Sequence, residues 1–300
     1  MMTTIRQSLD LFLADRGAYC SAATLKKYGE DISYFFRFLE DVLHLSLDRG
    51  YPQGFLFRDF VVFLRYRGIR NASIRSYCRS VKAYLRWCYE NSYCPDYLKG
   101  VKLPRDDSEP KFPLYAAEVS AMDAQFDLSS ESGKRDYCIV HLMLDCGLRC
   151  GEVLRLEVGH IDRQHNILHV VNSKGNKSRM VLAPDFLLDA LSGYLGHAGR
   201  TSGLVFSNLK NEGPLTQNAV KMLFQHLKKK TGITRLHAHL LRHTFATSYL
   251  LGGGNLEYLR VFMGHYDYTV TKSYSSLAAQ CRMLGADIYP LDPIFFSRGY

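Results

Sequence analysis

The sequence has no run of 18 apolar residues, so nothing in it reads as a membrane-crossing helix. Its opening stretch, Met1 to Gly17, carries Arg6, Asp10, Asp15 and Arg16 with no long apolar run, which argues against a secretory leader. No CxxC pair occurs among Cys20, Cys78, Cys88, Cys94, Cys138, Cys146, Cys150 and Cys281, so a structural zinc site is not expected. Scattered thiols with neither leader nor anchor point to the cytoplasm. Internal repeats and low-complexity tracts are missing as well. So is any carboxylate cluster of the kind that holds two metal ions for phosphodiester hydrolysis, and no metal or other cofactor is expected.

What is present suits two domains. The 300 residues are 47% hydrophobic and 22% charged, ordinary for a globular protein and long for one small core. Lys and Arg number 38 against 29 acidic residues, a net charge of +9. The excess is spread: residues 1–110 hold 17 basic and 13 acidic side chains, leaving 21 and 16 beyond them. Both halves can therefore face a polyanion such as nucleic acid, although mild basicity alone also serves solubility.

The N-terminal part reads as helical. Leu25, Tyr28, Ile32, Phe35, Phe36 and Leu39 form one stripe at helical spacing, and 55–66 and 73–89 repeat the pattern. Asn71 and Ser73 are candidate caps for the last of these helices. Along it Arg75, Arg79, Lys82 and Arg86 share a face; such a stripe is ordinarily a solvated helix surface, and here it is also the candidate DNA contact. From Leu103 to Pro113 the texture changes to prolines and acids without periodicity, which reads as a linker. The expected organisation is a helical domain over 1–104, a linker over 105–113 and a second domain over 114–300. In the second domain, helical patterns (137–144, 152–156, 218–230, 240–251) surround two β-prone runs, 166–171 and 179–183. Gly175-Asn176 between those runs signals a hairpin. The fold class expected is mainly α with a small antiparallel sheet.

Several polar residues sit where apolar ones would be ordinary. Arg149 lies between apolar helical segments, with Glu152 one turn on. Lys174 sits at the hairpin tip, and His239, Arg242 and His243 crowd the start of an apolar helix. His265 follows Met263-Gly264, and Tyr274 comes nine residues later. Singly, each has a plain explanation: a surface ion pair, a solvated turn, one tyrosine among 20. His239 and His243 could share a zinc ion, but the glutamate of an HExxH motif is missing. Together they suit transfer at a phosphodiester. Two arginines can brace the non-bridging oxygens as charge builds, a lysine can protonate a leaving oxygen, histidines can move a proton, and a tyrosine can form a covalent ester.

The order and spacing resemble the tyrosine recombinase (phage integrase, Xer-like) family. Cys146 to Val153 looks like the family's first arginine box, Lys174 to Arg179 its lysine hairpin and His239 to Thr247 its second box. Met263-Gly264-His265 is similar to its Leu-Gly-His element, and Tyr274 falls at the nucleophile's spacing. Each element alone is weak, and five in order are specific. The resemblance covers about residues 114–280, and the preceding segment resembles the family's helical core-binding (SAM-like) domain by pattern only. It implies that Tyr274 attacks the scissile phosphate and stays joined to the 3′ end. Arg149 and Arg242 would hold the phosphate, Lys174 would protonate the 5′ leaving oxygen, His239 would assist proton transfer and His265 would hydrogen-bond the phosphate. Glu152 would orient the site, and His243 would be structural. The implied partner is double-stranded DNA with a specific site, bound as a homotetramer on two sites, with the tail from Ala278 onward exchanged between subunits through Ile294-Phe295-Phe296. The protein would then be cytoplasmic and nucleoid-associated when on DNA.

Two departures stand out: Leu240 where an acidic residue often follows the histidine, and Tyr266-Asp267-Tyr268 where small hydroxyl residues are commoner. Two other functions remain open at this point: a type IB topoisomerase-like nicking-closing enzyme, and a DNA-binding accessory protein without activity.

Overall fold

The computed structural model describes residues 3–54, 56–105, 112–171, 178–208, 213–264 and 268–297. Lys174, His265 and Tyr266 lie outside them, as does most of the segment read as a linker. The chain divides into two compact units, residues 1–109 and 110–300. Among the described residues, no helix is long and apolar enough to cross a membrane.

The first unit is helical: α1 (Ile5–Gly17), α2 (Ala22–Asp41), α3 (Leu56–Tyr66) and α4 (Asn71–Glu90). Local chemistry sets the starts of the first two. The Thr4 hydroxyl accepts from the Gln7 N–H while the Gln7 side chain accepts from the Thr4 N–H, and Ser21 accepts from the Thr24 N–H. The apolar stripes then meet in one core that includes Phe12, Ile32, Phe35, Leu39, Phe57, Phe60, Ile74, Cys78, Val81 and Leu85. Buried Asp31 is satisfied by Lys27 Nζ at 3.0 Å and Ser80 Oγ at 2.6 Å. The expected caps of α4 are displaced. Asn71 is already the first helical residue and Ser73 lies inside the first turn, so the extended cap position falls to Arg70, which makes no side-chain cap hydrogen bond.

The second unit holds α5 (Ala116–Asp123), α6 (Glu131–Leu144), α7 (Cys150–Val153), β1 (Ile161–Asp162), β2 (Ile167–Val170), β3 (Arg179–Leu182), α8 (Asp185–His197), α9 (Gln217–Thr231), α10 (Ala238–Leu251), α11 (Leu256–Met263), α12 (Tyr268–Met283) and α13 (Ile294–Ser297). The strands form an antiparallel sheet in the order β1-β2-β3, with Leu168 opposite Ile161 and Val181, and Val170 opposite Arg179. This is the mainly helical fold with a small sheet that the residue patterns imply. The helical pattern expected over 152–156 is cut short. α7 ends at Val153 because Leu156 turns its backbone to a pairing with Val205, whose N–H donates to the Leu156 carbonyl at 2.8 Å.

α6 runs through the core with Cys138 to Leu144 buried, packed on α8 and α10. Buried His141 bridges Asp145 at 2.7 Å and Asp123 at 3.0 Å. Burial opposes its charge, but the two carboxylates outweigh burial and push its pKa up to about 9. The tail fastens to the same place. Tyr289 Oη donates to Asp145 Oδ1 at 2.9 Å, and Ile288 forms a β-bridge with Tyr115. Beyond it Leu291 and Phe295 are buried against Phe245 and Tyr249 of α10 and Phe262 of α11. Phe296 stacks on Tyr249 over Gly252, where a Cβ would collide with its ring. The tail thus packs on its own chain.

Candidate active site

Arg149 and Glu152 are three residues apart because they are the N-cap and third helical residue of α7. The Glu152 carboxylate reaches back to the Arg149 backbone N–H at 2.7 Å, and Arg149 Nη1 donates to its other oxygen at 2.9 Å. The turn that delivers Arg149 depends on Gly147, at φ +62°. A Cβ there would sit 2.5 Å from Phe245 Cδ1, so both backbone and packing select glycine.

Around Glu152 three guanidinium groups converge. Arg179, on β3, donates to both carboxylate oxygens at 2.8 and 2.9 Å. Arg242, on α10, stands 3.9 Å away and donates to the carbonyls of Gly147 and Met263. Their exposures differ in a way that divides the labour: the Arg149 side chain is 41% exposed, Arg179 6% and Arg242 2%. Arg149 is thus the cation presented to solvent, and its Nη2 is steadied by the Gly264 carbonyl at 3.2 Å. Burial alone would raise the Glu152 pKa. The hydrogen bonds and charge of Arg179, the Arg149 N–H and the charge of Arg242 overcome it and hold the carboxyl down to about 2. Burial and repulsion from Arg149 lower Arg242 to about 9, with Glu152 opposing them. Three cations around one carboxylate leave an excess of positive charge, suited to an anion.

Tyr274, on α12, is 5% exposed within the cluster that contains Leu182, Phe245 and Phe295. Burial raises its pKa, and the charges of Arg242 and Arg149 pull it back. Its ring meets the His243 ring edge-on, centroids 5.0 Å apart at 84°. His239 lies one helical turn before His243. It is exposed on the rim of a groove of about 550 Å³ lined also by Cys150, Lys221, Phe224 and Leu236. Leu240, where an acidic residue was the alternative, is buried in the core.

The structure therefore brings Arg149, Glu152, Arg242, His243 and Tyr274 into one neighbourhood, with His239 at the groove beside them. Arg179 is the member that sequence reasoning missed. Its only signal was its place at the end of the Lys174 segment. In the first unit, Arg75, Arg79, Lys82 and Arg86 line a single groove of about 590 Å³ with Arg16 and Tyr28. Arg79 and Arg86 are exposed, whereas Arg75 is half-buried and donates to the Pro104 carbonyl at 3.0 Å.

A profile of the phage integrase family matches residues 114–280, the stretch that carries all of these second-unit residues. The tyrosine recombinase XerC of Staphylococcus carnosus is 25% identical over 288 residues, which cover 93% of this chain and 94% of that protein. The XerC of Staphylococcus haemolyticus is 28% identical over 270 residues, covering 87% and 88%. Among solved structures, the Tn1549 transposon integrase in complex with a circular intermediate DNA shares the fold, with a TM-score of 0.73 at 19% identity over 94% of this chain and 99% of that one. The family match spans more than half of the sequence, and this chain belongs to the phage integrase family.

Proposed function

We propose that the protein is a site-specific DNA recombinase that cleaves and rejoins strands through a covalent 3′-phosphotyrosine at Tyr274. The observation that carries this is a buried tyrosine in the field of Arg242 and Arg149, with Glu152 organising both arginines. The relatives' name, tyrosine recombinase, and their near full-length similarity support it.

Tyr274 Oη attacks the scissile phosphorus as the bond to the 5′ oxygen breaks, leaving a tyrosyl phosphodiester on the 3′ end and a free 5′ hydroxyl. Arg149 and Arg242 hold the non-bridging oxygens. Burial keeps the phenol protonated at rest, so its proton must leave as the bond forms; His239 receives it and His243 sets the ring's orientation. Lys174 protonates the leaving oxygen and His265 adds a hydrogen bond to the phosphate. One phosphodiester replaces another, so no energy cofactor is needed, and the 5′ hydroxyl of a partner strand reverses the step.

To test this, the full-length protein is mixed with a nicked duplex carrying a site selected from its own flanking DNA, without added metal, and resolved on a denaturing gel. The expected result is a DNA adduct on the peptide containing Tyr274, and strand exchange only when two sites are present. No adduct, or relaxation of supercoiled DNA lacking any site, overturns the reading.

The residues 1–104 act as the core-binding domain and 114–300 as the catalytic domain, joined by the 105–113 linker. The protein works in the cytoplasm on nucleoid DNA. The groove lined by Arg75, Arg79, Lys82 and Arg86 engages phosphates. Arg75→Ala with Arg79→Ala is expected to weaken binding on all sequences and to reduce the log–log salt slope by about 2, one unit per lost contact. An unchanged slope, measured by anisotropy across a salt series, removes the stripe from the interface.

On two sites the protein assembles as a tetramer in which Phe295 and Phe296 leave their own α10 for the same seat on a neighbour. Truncation after Pro290 keeps the Tyr289 anchor and is expected to retain single-site binding while losing the two-site complex. Normal two-site assembly on gel shift would sink tail exchange.

A further inference from the structure

Arg179 takes no part in the steps of strand transfer, yet it sits buried at their centre. Its fork occupies both oxygens of Glu152, at 2.8 and 2.9 Å, and its Nε donates to the Phe262 carbonyl at 2.6 Å. Gly264 lies flat against the same guanidinium. A Cβ at Gly264, which adopts φ +56°, would approach Arg179 Nη1 to 3.2 Å and Cζ to 3.3 Å. One side chain thus ties together β3, the first turn of α7 and the C-terminal end of α11.

The same two anchors hold Arg149. Its Nη1 and backbone N–H go to Glu152, and its Nη2 goes to the Gly264 carbonyl. Arg149 and Arg179 therefore grip one carboxylate and one turn. A buried ion pair gains little stability over an apolar replacement, so this one is better explained by what it orients. A guanidinium fork suits that task because its two parallel donors fix the plane of a carboxylate, which a lysine cannot do.

We infer that Arg179 is a positioning residue for strand transfer: it locks the Glu152 carboxylate and the Phe262–Gly264 backbone into one frame, and that frame aims Arg149 at the scissile phosphate. The inference rests on the reading of Arg149 as a phosphate-holding residue. Without Arg179, Glu152 can rotate and the 262–264 turn can shift, so Arg149 keeps its charge and loses its aim. The loss falls on the chemical step and leaves DNA affinity nearly intact.

The test is a double-mutant cycle on single-turnover adduct formation, with the full-length protein and saturating site-bearing nicked duplex. Arg179→Met is expected to slow adduct formation about 100-fold, the scale of an ångström-sized misplacement. DNA affinity should stay within about twofold. Arg149→Ala is expected to slow the step by about 100 to 1,000-fold. The double variant should be slower than Arg149→Ala alone by far less than the Arg179→Met loss, because most of what Arg179 does runs through Arg149 and only the remainder through Arg242, which shares Glu152 and donates to the Met263 carbonyl. Losses that multiply would show that Arg179 acts independently of Arg149, and an Arg179→Met protein at wild-type rate would show that it does not act at all; either overturns the inference. If Arg179→Met does not fold, Arg179→Lys, which keeps the charge and loses the fork, is read in the same cycle with the same two overturning results. A wild-type protein that forms no adduct overturns the strand-transfer reading and this one with it, whereas a wild-type adduct with multiplying losses overturns this one alone.

Discussion

Tyr274→Phe is expected to abolish the covalent DNA adduct completely while leaving fold and site binding unchanged. The substitution deletes one oxygen from a ring that is 5% exposed and belongs to the same apolar cluster as Leu182, Phe245, Leu291 and Phe295. Burial already disfavours the ionised phenol, so the native state does not depend on a phenolate that phenylalanine would forfeit. The ring's edge-on contact with His243 needs only the ring. Stability should therefore fall by no more than about 1.5 kcal/mol, the range of a volume-conserving change or of one lost hydrogen bond. Activity has no such tolerance, because without the hydroxyl no ester can form. A denaturing gel and a thermal melt on the same preparation check both halves. An adduct that persists in Tyr274→Phe would move the nucleophile to another tyrosine, and Tyr268→Phe is the control that should keep the adduct.

The parts of this site that were legible in the sequence are those whose spacing is set within one element. Arg149 and Glu152 stand at cap and third position of one turn, and His239, Arg242 and His243 share a face of α10, so local periodicity exposes them. Tyr274 and Arg149 were legible by order along the chain. What was hidden depends on contacts across the fold. Arg179 reads as one residue of a short strand, and only the meeting of β3 with α7 and α11 turns it into the partner of Glu152. The tail shows the same limit. Ile294-Phe295-Phe296 was recognisable as an apolar anchor, but the seat on Tyr249 and Gly252 of its own chain comes from the 252–254 turn, which folds back beneath it. α8 carries Leu187, Leu188, Leu191 and Tyr194 on one buried face, but the apolar Phe186 and Leu195 off that stripe blur its period, which is why the segment does not stand out as α4 does. The caps of α4 failed for a different reason. Asn71 and Ser73 have capping chemistry, but capping needs the extended backbone just before the helix, and that position belongs to Arg70.

Glu152→Gln is expected to cost about 3 kcal/mol or more and to erase part of the protein's acid sensitivity. The side chain is almost wholly buried, and it is the single carboxylate that Arg149, Arg179 and Arg242 share. An amide is isosteric but places an NH2 donor against the Arg179 fork, leaving buried guanidinium charge without an anion, a loss of about 3–5 kcal/mol where one partner of a buried pair is removed. The pH dependence follows from the depressed pKa. In the folded protein the Glu152 carboxyl titrates near 2, against 4.5 for an ordinary glutamate. Its contribution is therefore fully present above about 4.5 and is lost as pH falls from there through 2, some 2.5 pKa units or about 3 kcal/mol in all. Other carboxylates titrate in the same window, but they do so in both proteins, so the difference between the wild-type and Glu152→Gln unfolding curves isolates this one. That difference should be largest near neutral pH and shrink as pH falls below 4.5; curves that stay parallel from pH 7 to pH 2 would remove Glu152 from the centre of the network. Activity should suffer beyond the stability loss. Burial and Arg149 pull Arg242 down and Glu152 holds it up, so removing the carboxylate leaves a buried guanidinium, still protonated, without the anion that balances it beside Arg149. The adduct-forming rate of Glu152→Gln, corrected for the folded fraction, should therefore stay well below the wild-type rate from pH 6 to pH 8, and a rate per folded molecule equal to wild type would limit the role of Glu152 to stability.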